Sequence, residues 1–267
     1  MISRGYLALY VFSVLLCMTL WLSGVYHHSQ EFLIYSMFYG IILPCVYALL
    51  TFVKILLCRG VGVKYIAKHL EVCPVRVVAG GSSIIETTIL SYSLAVVTVL
   101  SLAFLFGIKV SVENQPHQLL QATPLAVLLV FLLEIPVGTM EEGVFRQAIP
   151  ETLALIGGHP LFYAFLSSML FGVMHLWAYH SIFLTISATV VGIINSLIYY
   201  GYLGVEAGSI EGIALGHALY NCTVILLPTD VVVALVYPIC IMLILIILLL
   251  PKKAVERTYV GRVIQYG

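Results

Sequence analysis

Eight apolar stretches dominate this chain and leave it few ways to fold. They run roughly over residues 6–26, 32–57, 87–110, 121–155, 159–178, 181–200, 211–228 and 230–250, and several exceed the ~18 apolar residues that mark a spanning helix. In hydrocarbon every backbone N–H and C=O must be satisfied internally, so stretches of this length fold as helices. Hydrophobic residues make up 62% of the 267, charged residues only 9%, and mean hydropathy is +1.11. The expected fold class is therefore all-α: a polytopic membrane helix bundle of about eight transmembrane helices. Lipid is its expected surrounding, and nucleic acid is not an expected partner.

The formal net charge of zero says less than where the charges lie. Lys54, Arg59, Lys64, Lys68 and Arg76 crowd one connection, and Lys252, Lys253, Arg257 and Arg262 crowd the C-terminus. Loops rich in Lys and Arg stay on the cytoplasmic side, so both termini are expected there, as an even number of crossings requires. Residues 58–80 mix basic and apolar side chains, the pattern of an amphipathic helix lying on the inner leaflet or of an ordinary basic loop. A single transmembrane domain over 1–267 then has three parts. Residues 1–118 hold the N-terminal helices and the basic loop, 119–250 the helices with the polar motifs, and 251–267 a basic tail.

The first apolar run follows Arg4, but residues 23–31 offer no small-x-small cleavage site, so a retained helix is expected rather than a signal peptide. Cys17, Cys45, Cys58, Cys73, Cys222 and Cys240 are scattered without metal-ligand spacing and read as small apolar residues. Pro136 and Pro150 sit inside the fourth stretch, where each should kink the helix and free a carbonyl. Gly81-Ser82-Ser83 reads as a turn. His27, His28, His69 and His117 read as loop or interfacial residues.

Against this background residues 141–146, Glu-Glu-Gly-Val-Phe-Arg, stand out. An ionised side chain at mid-bilayer costs roughly 2.5 to 3.5 kcal/mol on an insertion scale, so such residues mark function by default. Glu142 and Arg146 are four apart on one helical face, in the favourable acid-before-base order. Glu141 points about 100° away with no local partner, the position of a general base. Glu134 lies on the face of Glu141, about 10 Å back along the axis, either lining a cavity or paired.

Two further polar pairs follow. In Phe171-Gly-Val-Met-His175, the histidine lies as far beyond Gly158 as Glu141 lies before it. A hairpin at Gly157-Gly158 therefore sets the two side chains at comparable depth, where they can meet. In His217-Ala-Leu-Tyr-Asn221, imidazole and carboxamide share a face and can both donate toward one point, as a developing oxyanion needs. Gly212, Ala214 and Gly216 beside them permit close helix approach. Each motif also has a structural reading: an ion network around a kinked helix, a hydrogen-bonded packing histidine, an asparagine that ties helices together.

The three motifs EExxxR, FxxxH and HxxxN, in this order on successive membrane helices, resemble the type II CAAX prenyl endopeptidase and bacteriocin-processing (Abi, CPBP) intramembrane protease family. The matching residues are Glu141, Glu142 and Arg146, then Phe171 and His175, then His217 and Asn221. The resemblance covers roughly residues 120–250 and implies an intramembrane endopeptidase. It implies a water activated by Glu141 and His175, an oxyanion held by His217 and Asn221, and supporting roles for Glu142, Arg146 and Phe171. The implied substrate is the C-terminal tripeptide of a prenylated CAAX protein or another membrane-embedded peptide.

The family has been described both as metalloproteases and as glutamate proteases. No HExxH is present, so no obligatory metal is expected; a zinc ion, if bound, would use Glu141, His175 and His217. Other intramembrane protease types fit less well. Asp230 is the only aspartate, whereas the aspartyl type needs two, and the serines near residue 82 lack the helical context of a serine nucleophile. The competing classes are a proton-coupled carrier using the same buried Glu, His and Arg, and a catalytically silent scaffold or immunity protein. The expected location is the plasma membrane of a prokaryote or the endoplasmic reticulum of a eukaryote.

Overall fold

The computed structural model describes residues 4–22, 37–60, 81–108, 124–154, 159–203, 208–227 and 231–249. These residues form eight helices and no strand: α1 (Arg4–Leu22), α2 (residues 38–60), α3 (Gly81–Leu105), α4 (residues 124–154), α5 (Pro160–Tyr179), α6 (Ile182–Tyr199), α7 (Ile210–Leu226) and α8 (Val232–Leu249). The basic segment beyond Gly60, the tail 251–267, Gly157-Gly158, His27, His28, His69 and His117 lie outside the described residues.

Residues Ile84–Leu105 of α3, together with α5, α6 and α8, are long and apolar enough to cross a membrane. Large apolar side chains such as Phe52, Phe104, Trp177 and Leu249 point outward. The most apolar helix, α8, has a mean hydropathy of 3.2 yet only 17% of it is buried inside the bundle. In water such a surface would be an aggregation liability; in lipid it is the ordinary exterior. Polar groups are instead gathered inside, with Ser91, Glu142, Arg146, Asn195 and Glu211 among the buried residues.

At the centre α7 packs between α3 and α4, α5 lies along α6, and α1 and α2 flank α4. Small residues set these approaches, as the sequence suggested. A Cβ on Gly216 would come within 2.9 Å of Ser91 Cβ, and one on Gly212 within 2.6 Å of Thr87 Cβ, so α7 fits against α3 only with glycine there. A Cβ on Gly138 would meet the Ala214 carbonyl oxygen at 2.5 Å, which brings α4 equally close to α7 on its other side.

The fourth stretch has an internal irregularity. Its α-helix Pro124–Glu142, with Pro136 inside, passes into a π-helical segment Gly143–Ala148 and then a last α-helical turn Ile149–Ala154. The wide segment begins directly after the two glutamates, and π-bulges of this kind are frequent at functional sites. Pro150 lacks an N–H to give the preceding turn, and the Tyr200 hydroxyl donates to the carbonyl of Arg146 at 3.4 Å. Shorter π-segments open α2 at Phe38–Ile42 and α8 at Val232–Val236.

Two details differ from expectation or refine it. Gly81-Ser82-Ser83 opens α3 rather than forming a free turn; the first turn of a helix tolerates such residues because its N–H groups have no intrahelical partner in any case. The α5–α6 hairpin turns on His180, a non-glycine residue at φ 51°, followed by Ser181, whose side chain accepts from the Leu184 N–H at 3.3 Å. Of the cysteines described, Cys45, Cys222 and Cys240 are free thiols.

Candidate active site

The two glutamates face different surroundings, as their helical spacing requires. Glu142 Oε2 pairs with Arg146 Nε at 3.0 Å, and the two side chains are 1% and 0% exposed. Arg146 Cζ lies 4.6 Å from the centre of the Phe171 ring. Its terminal nitrogens find no hydrogen-bond partner among the described residues, so the ring face provides their compensation, a cation–π contact that gains strength when desolvated. Gly192 of α6 makes room for the group, since a Cβ there would stand 2.8 Å from Nη2.

Phe171 touches all three motifs. Its ring packs edge-on against His175 at 4.4 Å and lies 6.5 Å from His217, centroid to centroid. The His175 Nδ1 lies 3.0 Å from the carbonyl oxygen of Phe171 one turn back. A carbonyl only accepts, so Nδ1 carries the proton and Nε2 is left as the acceptor in the neutral ring.

His217 occupies the centre of the site. Its Nδ1 lies 2.8 Å from Glu142 Oε1, and its Nε2 lies 3.5 Å from Glu141 Oε2. The first distance is a full hydrogen bond and the second is at the edge of one. Glu142 accepts from Nδ1–H and fixes the ring, and Nε2 is thereby aimed at Glu141. Glu141 and His217 keep 10% and 14% of their side-chain surface exposed, whereas Glu142 keeps 1%. Of the two adjacent glutamates, Glu141 is therefore the less enclosed.

Other partners complete the cluster. The Tyr39 hydroxyl of α2 donates to Glu141 Oε1 at 2.6 Å. Asn221 Nδ2 donates to Glu134 Oε2 at 2.8 Å. Asn195 lies near enough to Glu142 to interact with it and accepts from the Ser91 hydroxyl at 2.9 Å. Tyr179, at the open end of α5, feels the charges of both Glu141 and Glu134.

The structure thus gathers Glu134, Glu141, Glu142, Arg146, Phe171, His217 and Asn221 into one network. The expected meeting of Glu141 with His175 is not seen. His175 turns Nδ1 to its own helix and stacks on Phe171, and His217 takes the place beside Glu141. Nor do His217 and Asn221 donate to one point, because each is engaged by a different carboxylate. Glu134 is paired with Asn221. Sequence reasoning missed Tyr39 and Asn195. An asparagine in an apolar helix is itself a signal that could have found Asn195; a tyrosine 102 residues from its partner carries no local one.

Among the described residues no three His, Cys, Asp or Glu side chains form a group that would hold a metal ion. Of the three residues named for zinc, Glu141 and His217 meet at 3.5 Å, and no contact of either carboxylate or imidazole with the His175 ring nitrogens is seen among the described residues.

A helical bundle with a lipid-type exterior and a buried carboxylate–imidazole centre defines an integral membrane protein with an enzyme-like site. Residues 121–223 match the family model described as type II CAAX prenyl endopeptidase Rce1-like. The match starts at the head of α4 and ends within α7, so every motif residue lies inside it while α1–α3 and α8 lie outside. No curated protein and no solved structure matches the chain.

Proposed function

We propose that this protein is an intramembrane endopeptidase in which Glu141 is the general base, working on a peptide at the cytoplasmic leaflet. Glu141 takes a proton from water as the oxygen bonds to the scissile carbonyl carbon. The resulting oxyanion accepts from Nε2–H of His217 in its imidazolium form, whose Nδ1–H is held by Glu142, with Asn221 as the second donor once the substrate competes with Glu134 for its carboxamide. Glu141 then returns the proton to the amide nitrogen as the C–N bond breaks, leaving a free amine and a carboxylic acid. His175 acts on the same water from the other side, reaching Glu141 through that water rather than directly. The side chains themselves supply the acid, base and donors, with no metal.

One observation supports this reading above the others: Glu141 is partly accessible and faces His217 Nε2 at 3.5 Å, while the neighbouring glutamate is sealed off by Arg146. Preorganised donors aimed at developing charge in a dry site supply a large part of such catalysis. The substrate we assign is a prenylated CAAX protein, losing its C-terminal tripeptide, with the isoprenoid entering between helices; apolar outward faces on α5 and α8 are compatible with that route.

The test is cleavage of a farnesylated CAAX peptide by the detergent-solubilised protein, alongside the same peptide without its lipid. Cleavage of the lipidated peptide alone is expected. Equal turnover of both would overturn the substrate assignment and leave the hydrolytic one.

A further inference from the structure

Glu141 is held at both ends, and the second hold comes from outside the Rce1-like segment. Tyr39 belongs to the π-helical segment Phe38–Ile42 that opens α2, far ahead of residue 121, where the family match begins. Its hydroxyl donates to Glu141 Oε1 at 2.6 Å, a short, charge-assisted contact. Oε1 is thereby occupied, and Oε2 is the oxygen turned to His217 Nε2.

The tyrosine itself is fixed from two sides. Its carbonyl accepts from the Tyr10 hydroxyl of α1 at 3.4 Å, and its ring meets Phe38 edge-on at 5.1 Å. Tyr39 is not needed to fasten α2 to α4. Eight residues further along α2, the Tyr47 hydroxyl donates to Gln147 of α4 at 2.9 Å, and Leu43 packs with Met140, Val144 and Phe145. A second tie at the same interface would be redundant as a strut, but it sits on the carboxylate that faces His217 Nε2.

We infer that Tyr39 is a positioning residue that locks the Glu141 carboxylate so that Oε2, and not Oε1, addresses the substrate water. This rests on the reading of Glu141 as general base. A glutamate turns about three side-chain bonds, and an error of about 1 Å in a reacting group can cost about a hundredfold in rate. Anchoring one oxygen removes that freedom. The N-terminal helices therefore complete the site instead of only surrounding it.

The test uses the full chain in detergent and a farnesylated CAAX peptide as probe, with kcat and KM measured separately for wild type, Tyr39→Phe, Tyr47→Phe and Glu141→Gln. Tyr39→Phe should lose about ten- to a hundredfold in kcat, the range of a hydrogen bond to a charged group, with KM unchanged. Tyr47→Phe removes a neutral tyrosine hydrogen bond between the same helices, remote from Glu141, and should stay within about twofold of wild type. If the two tyrosine variants behave alike, or if the loss lies wholly in KM, the inference fails while the role of Glu141 stands. Wild-type kcat in Glu141→Gln overturns the general-base reading instead. Thermal unfolding of Tyr39→Phe, Glu141→Gln and the double variant gives a readout without turnover: non-additive shifts support the anchored carboxylate, and additive shifts overturn it.

Discussion

His217 Nδ1 and Glu142 Oε1 lie 2.8 Å apart, and this one contact determines which way the imidazole faces. With Nδ1 committed to a carboxylate that is itself neutralised by Arg146, Nε2 has only the Glu141 side to address. An ion pair enclosed in apolar helix thus orients a histidine beside a second, less enclosed glutamate.

Removing one member of the enclosed pair should affect folding more than chemistry. Arg146→Ala leaves Glu142 buried without its countercharge, at a cost of about 3–5 kcal/mol. We expect a lower unfolding temperature in detergent and poor yield. Glu141→Gln, in contrast, should keep the wild-type melting temperature within a few degrees. Equal thermal stability of Arg146→Ala and wild type would contradict the role assigned to the pair.

Glycine 138 stands where α4 meets α7 beside the histidine. Gly138→Ala places a methyl group 2.5 Å from the Ala214 carbonyl and 3.3 Å from His217 Cβ. Backbone cannot yield as a flexible side chain can, so the helices must separate, at about 1–3 kcal/mol. The expected outcome is a clear drop in both melting temperature and turnover. A substitution at exposed Gly107, whose added Cβ meets nothing within 4 Å, controls for handling but carries its own strain at φ +62°.

Asn221 and Glu134 should behave as a coupled pair. Asn221→Ala removes the 2.8 Å hydrogen bond between them and leaves a part-buried carboxylate oxygen without that donor, at a cost of about 1–3 kcal/mol. Glu134→Gln in the same background relieves part of that cost, so the double variant should be more stable than the sum of the two single effects by at least about 0.5 kcal/mol. Strict additivity in denaturation measurements would mean that the two side chains do not share one interaction. Activity should not return with stability, because the donor at Asn221 is still missing.

Exhaustive chelation should leave peptide cleavage within about twofold of the untreated protein, because the proposed mechanism draws its base and its hydrogen-bond donors from side chains alone. Loss of turnover on chelation, restored by added zinc, would reassign Glu141 and His217 as ligands.

Much of this arrangement can be read in the sequence, and the parts that cannot have physical causes. Helices emerge because a bilayer admits no other open backbone, and the Glu142–Arg146 pair emerges because positions four apart share a face. Matching depths along a hairpin correctly brought α4 and α5 together, but depth does not fix the direction in which a side chain points. That is why His175, expected beside Glu141, turns to Phe171, and His217 from a more distant helix takes its place. The π-segments have no composition signature here, although Gly143–Ala148 rotates everything after Glu142. Tyr39 and Asn195 reach the site through tertiary packing, which no spacing along one helix encodes.

The central claim is that the Glu141 carboxylate performs the chemistry, and a single comparison tests it. Initial rates of farnesylated CAAX peptide cleavage are measured for wild type and for Glu141→Gln, which matches glutamate in shape but is no base. Loss of general-base catalysis should lower kcat about a hundredfold or more, with the protein folded and KM little changed. A folded Glu141→Gln protein that cleaves the peptide at the wild-type rate contradicts the account.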